Sequence, residues 1–134
     1  MVRAMILEPG RQAEVRFICP KKIDELVDGH PEYTVPRKGI CIAVNEEGKI
    51  KGLPLNRSLV DDDGSIQDIF AGTMVIFGCN DKEEICSLTD EQVVSLLDEF
   101  GEPETPDDWV DEGVDFTRED MHQILDEVIN RFYS

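Results

Sequence analysis

The sequence predicts an α+β fold: a mixed or antiparallel sheet of about five strands with one packed helix, followed by a helical acidic C-terminal segment. Three observations support this prediction. Short apolar or alternating runs between Gly/Pro turns fill the first part of the chain, as is typical of strands. Two helical stripes follow. Residues 1–80 carry 12 Asp/Glu and 10 Lys/Arg, whereas residues 81–134 carry 18 Asp/Glu and 3 Lys/Arg. We therefore divide the chain into an α+β core, residues 1–80, and an acidic helical segment, residues 81–134, that packs on the core or extends from it.

Turn chemistry and periodicity predict the first elements. Met1–Leu7 is a strand, and Glu8–Arg11 is a type II turn, since proline presets φ at the second position and glycine supplies positive φ at the third. Ala13–Ile18 alternates apolar and polar residues, as a half-buried strand does, so the chain opens with a hairpin. Pro20–Asp28 predicts a short helix with proline in its first turn, and Glu32–Val35 predicts a short strand.

Two runs that are apolar on both faces predict central strands, Ile40–Val44 and Gly72–Gly78. A turn that ends in glycine is expected to lead from the first of them into a strand over Lys49–Lys51, which makes a second hairpin. Pro54 excludes a regular central strand around it, so a rigid loop or an edge is expected there. The order hairpin, helix, hairpin is compatible with a β-grasp-like layout.

Two helices are predicted after residue 88. Thr89 and Gln92 form a capping box, and an apolar stripe follows that Gly101 ends. Thr117 caps a final amphipathic helix. The apolar stripe of this final helix consists of Met121, Ile124, Leu125, Val128, Ile129 and Phe132. The sequence leaves open whether the final helix packs on its own domain or on a second copy of the chain, so a homo-oligomer through this helix is an alternative.

The middle of the chain resembles a known family in three segments, Asn45–Lys49, Gly52–Arg57 and Asp68–Thr73. With Leu7–Gly10 and Ser87–Gln92, they resemble the signature of the domain-of-unknown-function family DUF3846. The resemblance implies an origin in phages and mobile elements of bacteria, often near or fused to antirestriction-type domains, and it implies no assigned activity. The tail after Gly101 departs from the family pattern, so any function seated there would be particular to this protein.

Polar residues on the predicted loops suggest a pocket for a small anionic ligand such as a nucleotide. These residues are Asn45, Lys49, Asn56 and Arg57. In this interpretation Arg57 holds a phosphate in a forked contact, and the asparagines bond a base or a ribose. The alternative is that Asn56 and Arg57 satisfy backbone carbonyls beside Pro54.

The densest acidic stretch of the chain also holds its single tryptophan, Trp109. We interpret it as a partner surface whose carboxylates stand in for DNA phosphates and engage a basic groove, with the aromatic ring as anchor. The expected partner-binding residues are Glu102, Glu104, Asp107, Asp108, Trp109, Asp111, Glu112 and Asp115. The predicted function is an antirestriction or anti-defence protein that binds and inhibits a basic, nucleic-acid-binding host protein. The alternative for this stretch is a solvated linker whose apolar side chains dock on the domain.

Several other classes of function lack support in the sequence. The two histidines have no nucleophile at a recognisable spacing, and no Gly-rich phosphate loop occurs, so neither an enzyme nor a cofactor is expected. The four cysteines lack zinc-site spacing. The acidic turn at Asp61–Asp63 fails as a calcium loop because Leu59 and Phe70 occupy its first and last ligand positions. No metal is therefore expected.

The charge and hydropathy also exclude two kinds of partner. A net charge of −17 disfavours bare nucleic acid and anionic membranes, since both bind through Lys and Arg. No apolar run approaches the roughly 20 residues that a membrane span needs. We therefore expect a soluble protein of the bacterial cytoplasm.

Overall fold

The computed structural model describes residues 1–109, except for the side chain of Asp107. The predicted final helix lies outside the described residues. So do three of the expected partner-binding residues, Asp111, Glu112 and Asp115.

The described residues form eight strands and two α-helices. The strands are β1 (Val2–Leu7), β2 (Glu14–Ile18), β3 (Pro31–Arg37), β4 (Ile40–Asn45), β5 (Leu55–Val60), β6 (Ile66–Ala71), β7 (Met74–Cys79) and β8 (Ile85–Cys86). The helices are α1 (Ile23–Val27) and α2 (Asp90–Phe100), and short 3-10 helices lie at Pro20–Lys22 and Pro106–Trp109. Within this part of the chain, no helix is both long enough and apolar enough to cross a membrane.

Strand pairing confirms the α+β class and makes the sheet antiparallel in every described pair. Six strands form one sheet in the order β2-β1-β7-β4-β3, with β8 added to the end of β7. β5 and β6 form a separate two-stranded sheet. Ile76 of β7 faces Met5 of β1 on one side and Ile42 of β4 on the other. β7 therefore lies between the hairpins β1–β2 and β3–β4 and pairs antiparallel with a strand of each.

Both faces of the sheet are covered, because its central strands are apolar on both sides. On one face α1 buries Ile23 and Val27. On the other face α2 buries Leu96 and Phe100, and β6 contributes Phe70. The sheet thus lies in a middle layer, with α1 on one side and α2 and the β5–β6 hairpin on the other.

The predicted capping box of α2 is confirmed. The side-chain oxygen of Thr89 accepts from the N–H of Gln92 at 3.1 Å, and the side-chain oxygen of Gln92 accepts from the N–H of Thr89 at 2.9 Å. Leu88, just before the cap, is buried with the core on the same face as α2. The described part of the acidic segment therefore packs on residues 1–80 rather than extending from them.

The predicted strand over Lys49–Lys51 is wrong, because these residues form tight turns. The N–H of Lys51 donates to Glu47 O at 2.8 Å, and the N–H of Leu53 donates to Gly48 O at 2.8 Å. Gly52 has a φ of 71°, a conformation that glycine adopts at little cost. The hairpin that contains β4 is instead completed by β3, which precedes it.

The residues after Pro54 form an edge strand, β5, rather than a loop, and its pairing with β6 is irregular at two points. Pro54 directly precedes β5, so its missing N–H removes no bond from the β5–β6 ladder. β6 was not predicted because Gln67 and Asp68 interrupt its apolar pattern. Its apolar half, Ile69–Ala71, is buried against the large sheet and explains why the hairpin packs there.

We expect Leu96→Ala to destabilise the protein by about 2–5 kcal/mol, because it removes a fully buried side chain between α2 and the sheet. Ser95→Ala, on an exposed position of the same helix, should change the free energy of unfolding by less than about 0.5 kcal/mol. Urea denaturation of both variants measures the difference. Equal effects would contradict the assigned packing of α2.

Candidate functional site

Arg57 is a fully buried cation at the junction of β5, α2 and the β1–β2 turn. All five of its N–H groups donate to protein oxygens. Nε donates to Phe100 O at 3.1 Å. The two terminal nitrogens donate to Glu8 O, the Asn56 side chain, Arg11 O and Gly101 O at 2.6–3.5 Å. Burial lowers the pKa of Arg57, and the nearby Glu104 and Glu102 oppose that shift.

Asn56 is buried next to Arg57 and also donates hydrogen bonds to backbone carbonyls. Its amide nitrogen donates to Leu7 O and to Gly72 O, both at 2.8 Å. Asn56 and Arg57 thus satisfy backbone carbonyls, as the alternative interpretation of the sequence expected, but these carbonyls belong to the end of β1, the β1–β2 turn, Gly72 and the end of α2 rather than to residues beside Pro54. A phosphate could reach Arg57 only by displacing these contacts, because no N–H of its guanidinium is left unused.

Asn45 and Lys49, the other two residues of the expected ligand pocket, line a different place. They border a groove of about 240 Å³ between β6 and the β3–β4 hairpin, which Asn56 and Arg57 do not line. The Asn45 side chain donates to Val27 O and Asp28 O, which holds the end of α1. The structure therefore divides the four expected ligand-binding residues between two locations.

The charge of this β6 groove does not suit an anion. Lys49 pairs with Asp68 at 2.9 Å, and Glu32 and Glu46 also line the groove. Burial lowers the pKa of Lys49, and the hydrogen bond that Lys49 donates to Asp68 opposes this shift. With three carboxylates around one ammonium, the groove would repel a nucleotide.

Glu104 is the contact that holds the segment after α2 against β5. Its Oε1 accepts from the N–H of Ser58 at 3.0 Å and from the Ser58 hydroxyl at 2.5 Å. The same oxygen accepts from the indole nitrogen of Trp109 at 3.1 Å. Trp109 is only 6% exposed. Trp109 is therefore docked on the domain, and its ring is not available as a surface anchor.

An acidic groove runs between the β5–β6 hairpin and the end of α2. It consists of two depressions of about 240 and 380 Å³ that share Val60 and Glu99. Its acidic lining residues are Asp61, Asp62, Asp98, Glu99, Glu102, Glu104 and Asp108. Among residues 1–109, Arg37 is the one cation that lines it, and it is paired with Glu99 at 2.7 Å. Leu59, Phe100 and the half-exposed Val60 supply apolar surface between the charges.

The structure brings together three of the expected partner-binding residues and gives them different surroundings. Glu102 is exposed and accepts from the Gln12 side chain at 3.2 Å. Asp108 is exposed and accepts from the N–H of Thr105 at 2.6 Å. Glu104 is half-buried, with one oxygen engaged by Ser58 and Trp109. Glu102 and Asp108 therefore present carboxylates to the acidic groove, whereas Glu104 positions the segment that carries them.

Sequence reasoning missed four members of the acidic groove, Asp61, Asp62, Asp98 and Glu99. The two aspartates were considered only as part of a calcium loop, and Asp98 and Glu99 were not singled out. The capping box and the apolar stripe of α2 determine on which side of the helix Glu99 lies. Only the packing of the β5–β6 hairpin against the end of α2 brings the two pairs to one groove.

None of the four cysteines forms a disulfide bond in the structure. Cys41 is buried, and burial raises the pKa of its thiol to about 11. Thiolate is the reactive form of cysteine, so this thiol is poorly reactive at neutral pH. Among residues 1–109, no group of three or more His, Cys, Asp or Glu side chains is arranged to hold a metal ion.

A family model described as "Domain of unknown function (DUF3846)" matches residues 2–101. The match covers the whole large sheet, the β5–β6 hairpin and α2. It ends at Gly101, so the segment that carries Glu102, Glu104 and Trp109 follows the matched region. No curated protein and no solved structure matches the chain.

We expect Arg57→Met to destabilise the protein by at least about 3 kcal/mol, because it leaves buried carbonyls of the β1–β2 turn and of α2 without donors. Arg16→Met is the matched control, because Arg16 is exposed and its nearest pair, with Glu14, is 3.8 Å long. It should cost less than about 0.5 kcal/mol. Chemical denaturation of both variants gives the comparison, and similar losses would contradict the assigned role of Arg57.

We expect Glu104→Ala to release the segment after α2 and to shift the emission of Trp109 to longer wavelength in the native state. The physical reason is the loss of the oxygen that joins Ser58 to the indole. Trp109 is the single tryptophan, so selective excitation reports on it alone. Glu102→Ala removes a nearby exposed carboxylate and should leave the emission unchanged. An unshifted spectrum for Glu104→Ala would show that this oxygen does not hold the indole in place.

Proposed function

The chain belongs to the DUF3846 family, and we propose that this member is an acidic interaction protein that binds and inhibits a host protein with a basic, nucleic-acid-binding surface. In this proposal it is encoded by a phage or mobile element and acts against a defence protein in the bacterial cytoplasm. The single observation that carries the proposal is the acidic groove between the β5–β6 hairpin and α2, to which the described part of the chain contributes seven carboxylates and one arginine.

The acidic groove has the features that a cationic segment requires. Arginine and lysine side chains combine a charged end with an apolar stem, and both parts find contacts here. The exposed carboxylates of Asp98, Glu102 and Asp108 accept the charged ends, while Val60 and Leu59 contact the stems. A bare phosphate backbone or an anionic small molecule would be repelled by the same groove.

The whole chain strengthens this preference at long range. A net charge of −17 produces a negative field that accelerates the approach of a cationic partner, and salt screens that field. The bound partner would then lose contact with its own nucleic acid, because the carboxylates occupy the arginines and lysines that bind phosphates. In this proposal, inhibition follows from competition for one basic surface.

Trp109 has a different role in this proposal from the one that the sequence suggested. The ring is buried and hydrogen-bonded to Glu104, so it fixes the acidic segment on β5 instead of inserting into the partner. The contribution of Asp107, Asp111, Glu112 and Asp115 to the same surface stays a prediction.

We expect Asp98→Asn combined with Glu102→Gln to weaken binding of an arginine-rich synthetic peptide about fivefold at low salt, because two exposed charge pairs are lost. The matched control is Asp24→Asn with Glu25→Gln, which removes the same charge from exposed residues of α1. Isothermal titration calorimetry at low and high salt measures both. Amide substitutions keep the shape of each side chain, so the fold should be retained.

Two results would contradict the proposal. Equal weakening by the groove variant and the α1 variant would show that only net charge matters. Binding that is indifferent to salt would exclude electrostatic recognition. The natural partner can then be identified by capture from bacterial lysate at low salt, with the groove variant as the negative control.

A further inference from the structure

The two outer strands of the six-stranded sheet, β2 and β3, differ in how their free edges are protected. β3 contains Pro31 and Pro36, and its pairing with β4 shifts register between Thr34 and Arg37. Prolines and irregular pairing are devices that keep an edge strand from pairing with another chain. β2 contains no proline, and its pairing with β1 is regular over its whole length. β2 is therefore the less protected of the two edges.

The backbone of Arg3 shows which residues of β2 turn their hydrogen-bonding groups outward. Its N–H donates to the Ser87 hydroxyl and its C=O accepts from the N–H of Leu88, both at 2.9 Å, so both groups point away from β2. Arg3 lies opposite Phe17 in the β1–β2 pair. At such a position of an antiparallel pair, the backbone groups of the two residues point away from each other. The N–H and C=O of Phe17, and of Val15 two residues earlier, therefore point to the free edge.

Neighbouring contacts limit the free edge to these two residues. The N–H of Ala13, the preceding residue in the same alternation, donates to Gly101 O at 2.8 Å. At the other end of β2, Cys19 O accepts from the N–H of Lys22 at 2.9 Å. Within residues 1–109, no strand pairs with this side of β2. The edge thus presents a short set of backbone donors and acceptors that another strand can pair with.

The side chains of this edge are apolar on one face of the sheet and balanced in charge on the other. Phe17 is 66% exposed and Val15 is 39% exposed. Val15 lies opposite Met5, so both residues project on the face that α2 covers. Glu14 and Arg16 project on the α1 face and lie 3.8 Å apart. An exposed aromatic side chain on an unpaired edge is typical of a surface that pairs with another strand.

We propose that this edge pairs with β2 of a second copy of the chain, antiparallel and about a two-fold axis at Arg16. In this register Val15 lies opposite Phe17 of the second copy, so every outward N–H and C=O of both edges finds a partner. The two Val–Phe pairs are of the β-branched and aromatic type that stabilises sheets. A shift by two residues in either direction would require the N–H of Ala13 or the C=O of Cys19, which are already engaged.

Charge favours a second copy as the occupant. Residues 8–22, which include β2, carry four Lys/Arg and two Glu, whereas the whole chain has a net charge of −17. Two copies therefore meet at a part of the chain that lacks the negative excess, which reduces their repulsion. The Arg16 side chains of the two copies lie opposite each other, and each has its own Glu14 beside it, so their charges balance. β2 has no net charge that would select a strongly acidic or strongly basic peptide instead.

Hydrogen exchange of the full-length protein tests this pairing residue by residue. The N–H of Arg16 points to β1 and should be protected at every protein concentration. The N–H groups of Val15 and Phe17 should exchange fast in dilute protein and become protected as the concentration rises, because only the dimer gives them acceptors. Light scattering over the same concentrations measures the dimer. Protection of Val15 and Phe17 in the monomer would overturn the proposal, since the chain itself would then cover the edge.

We expect Phe17→Lys to raise the dissociation constant of the dimer at least about tenfold, because a two-fold interface loses each contact twice. Val15→Pro should act in the same direction by removing an outward N–H. This N–H makes no bond to β1, so the fold should be retained, which far-UV circular dichroism checks. Val35→Lys is the matched control, because Val35 is 58% exposed on β3. It adds the same charge at the opposite edge and should leave the dissociation constant unchanged.

Three further results would overturn the proposal. A chain that stays monomeric up to about 1 mM would show that the edge does not pair with itself. A dimer that Phe17→Lys and Val15→Pro leave unchanged would use another surface. A dimer that is lost in the variant Asp98→Asn with Glu102→Gln would instead join the acidic groove of one copy to basic residues of the other.

Discussion

The buried guanidinium of Arg57 is the interaction on which the arrangement of the acidic residues depends. It joins three parts of the chain that are far apart in sequence: the β1–β2 turn, β5 and the end of α2. A cation at this position also suits the carbonyl end of α2, where the helix dipole is negative and the last carbonyls lack partners. Because all five donors are used, the guanidinium is satisfied without a bound carboxylate.

The position of Arg57 has a consequence for the surface. By fixing Phe100 and Gly101, it sets where the chain leaves α2, and Glu104 then binds Ser58, the next residue of β5. This pair of contacts aligns Glu102 and Asp108 along the same groove as Asp98 and Glu99. One buried cation thus organises a surface of carboxylates whose mutual repulsion would otherwise separate them. The acidic groove is therefore a product of the core, even though its residues are exposed.

Much of the fold could be predicted from local patterns. β1, β2, α1, β3, β4 and β7 were expected near their observed bounds, because each contains its own periodicity and is flanked by its own turn residues. The capping box of Thr89 and Gln92 fixed the start of α2 for the same reason. The errors fell where local signals were weak. Residues Lys49–Lys51 resembled a short strand but form tight turns. β6 was not predicted because Gln67 and Asp68 interrupt its apolar residues.

The sequence by itself determined the composition of the candidate site: an excess of carboxylates after residue 80, one tryptophan and few cations. It also determined the family, since the matching segments are local strings. Only the tertiary structure decided which carboxylates share a surface. Asp61 and Glu99 are neighbours along one groove because the β5–β6 hairpin and α2 pack on the same face of the sheet. The tertiary structure also decided that Arg57 is a buried hydrogen-bond donor and not a ligand contact. Its burial depends on segments that are distant in sequence, and no local pattern encodes their packing.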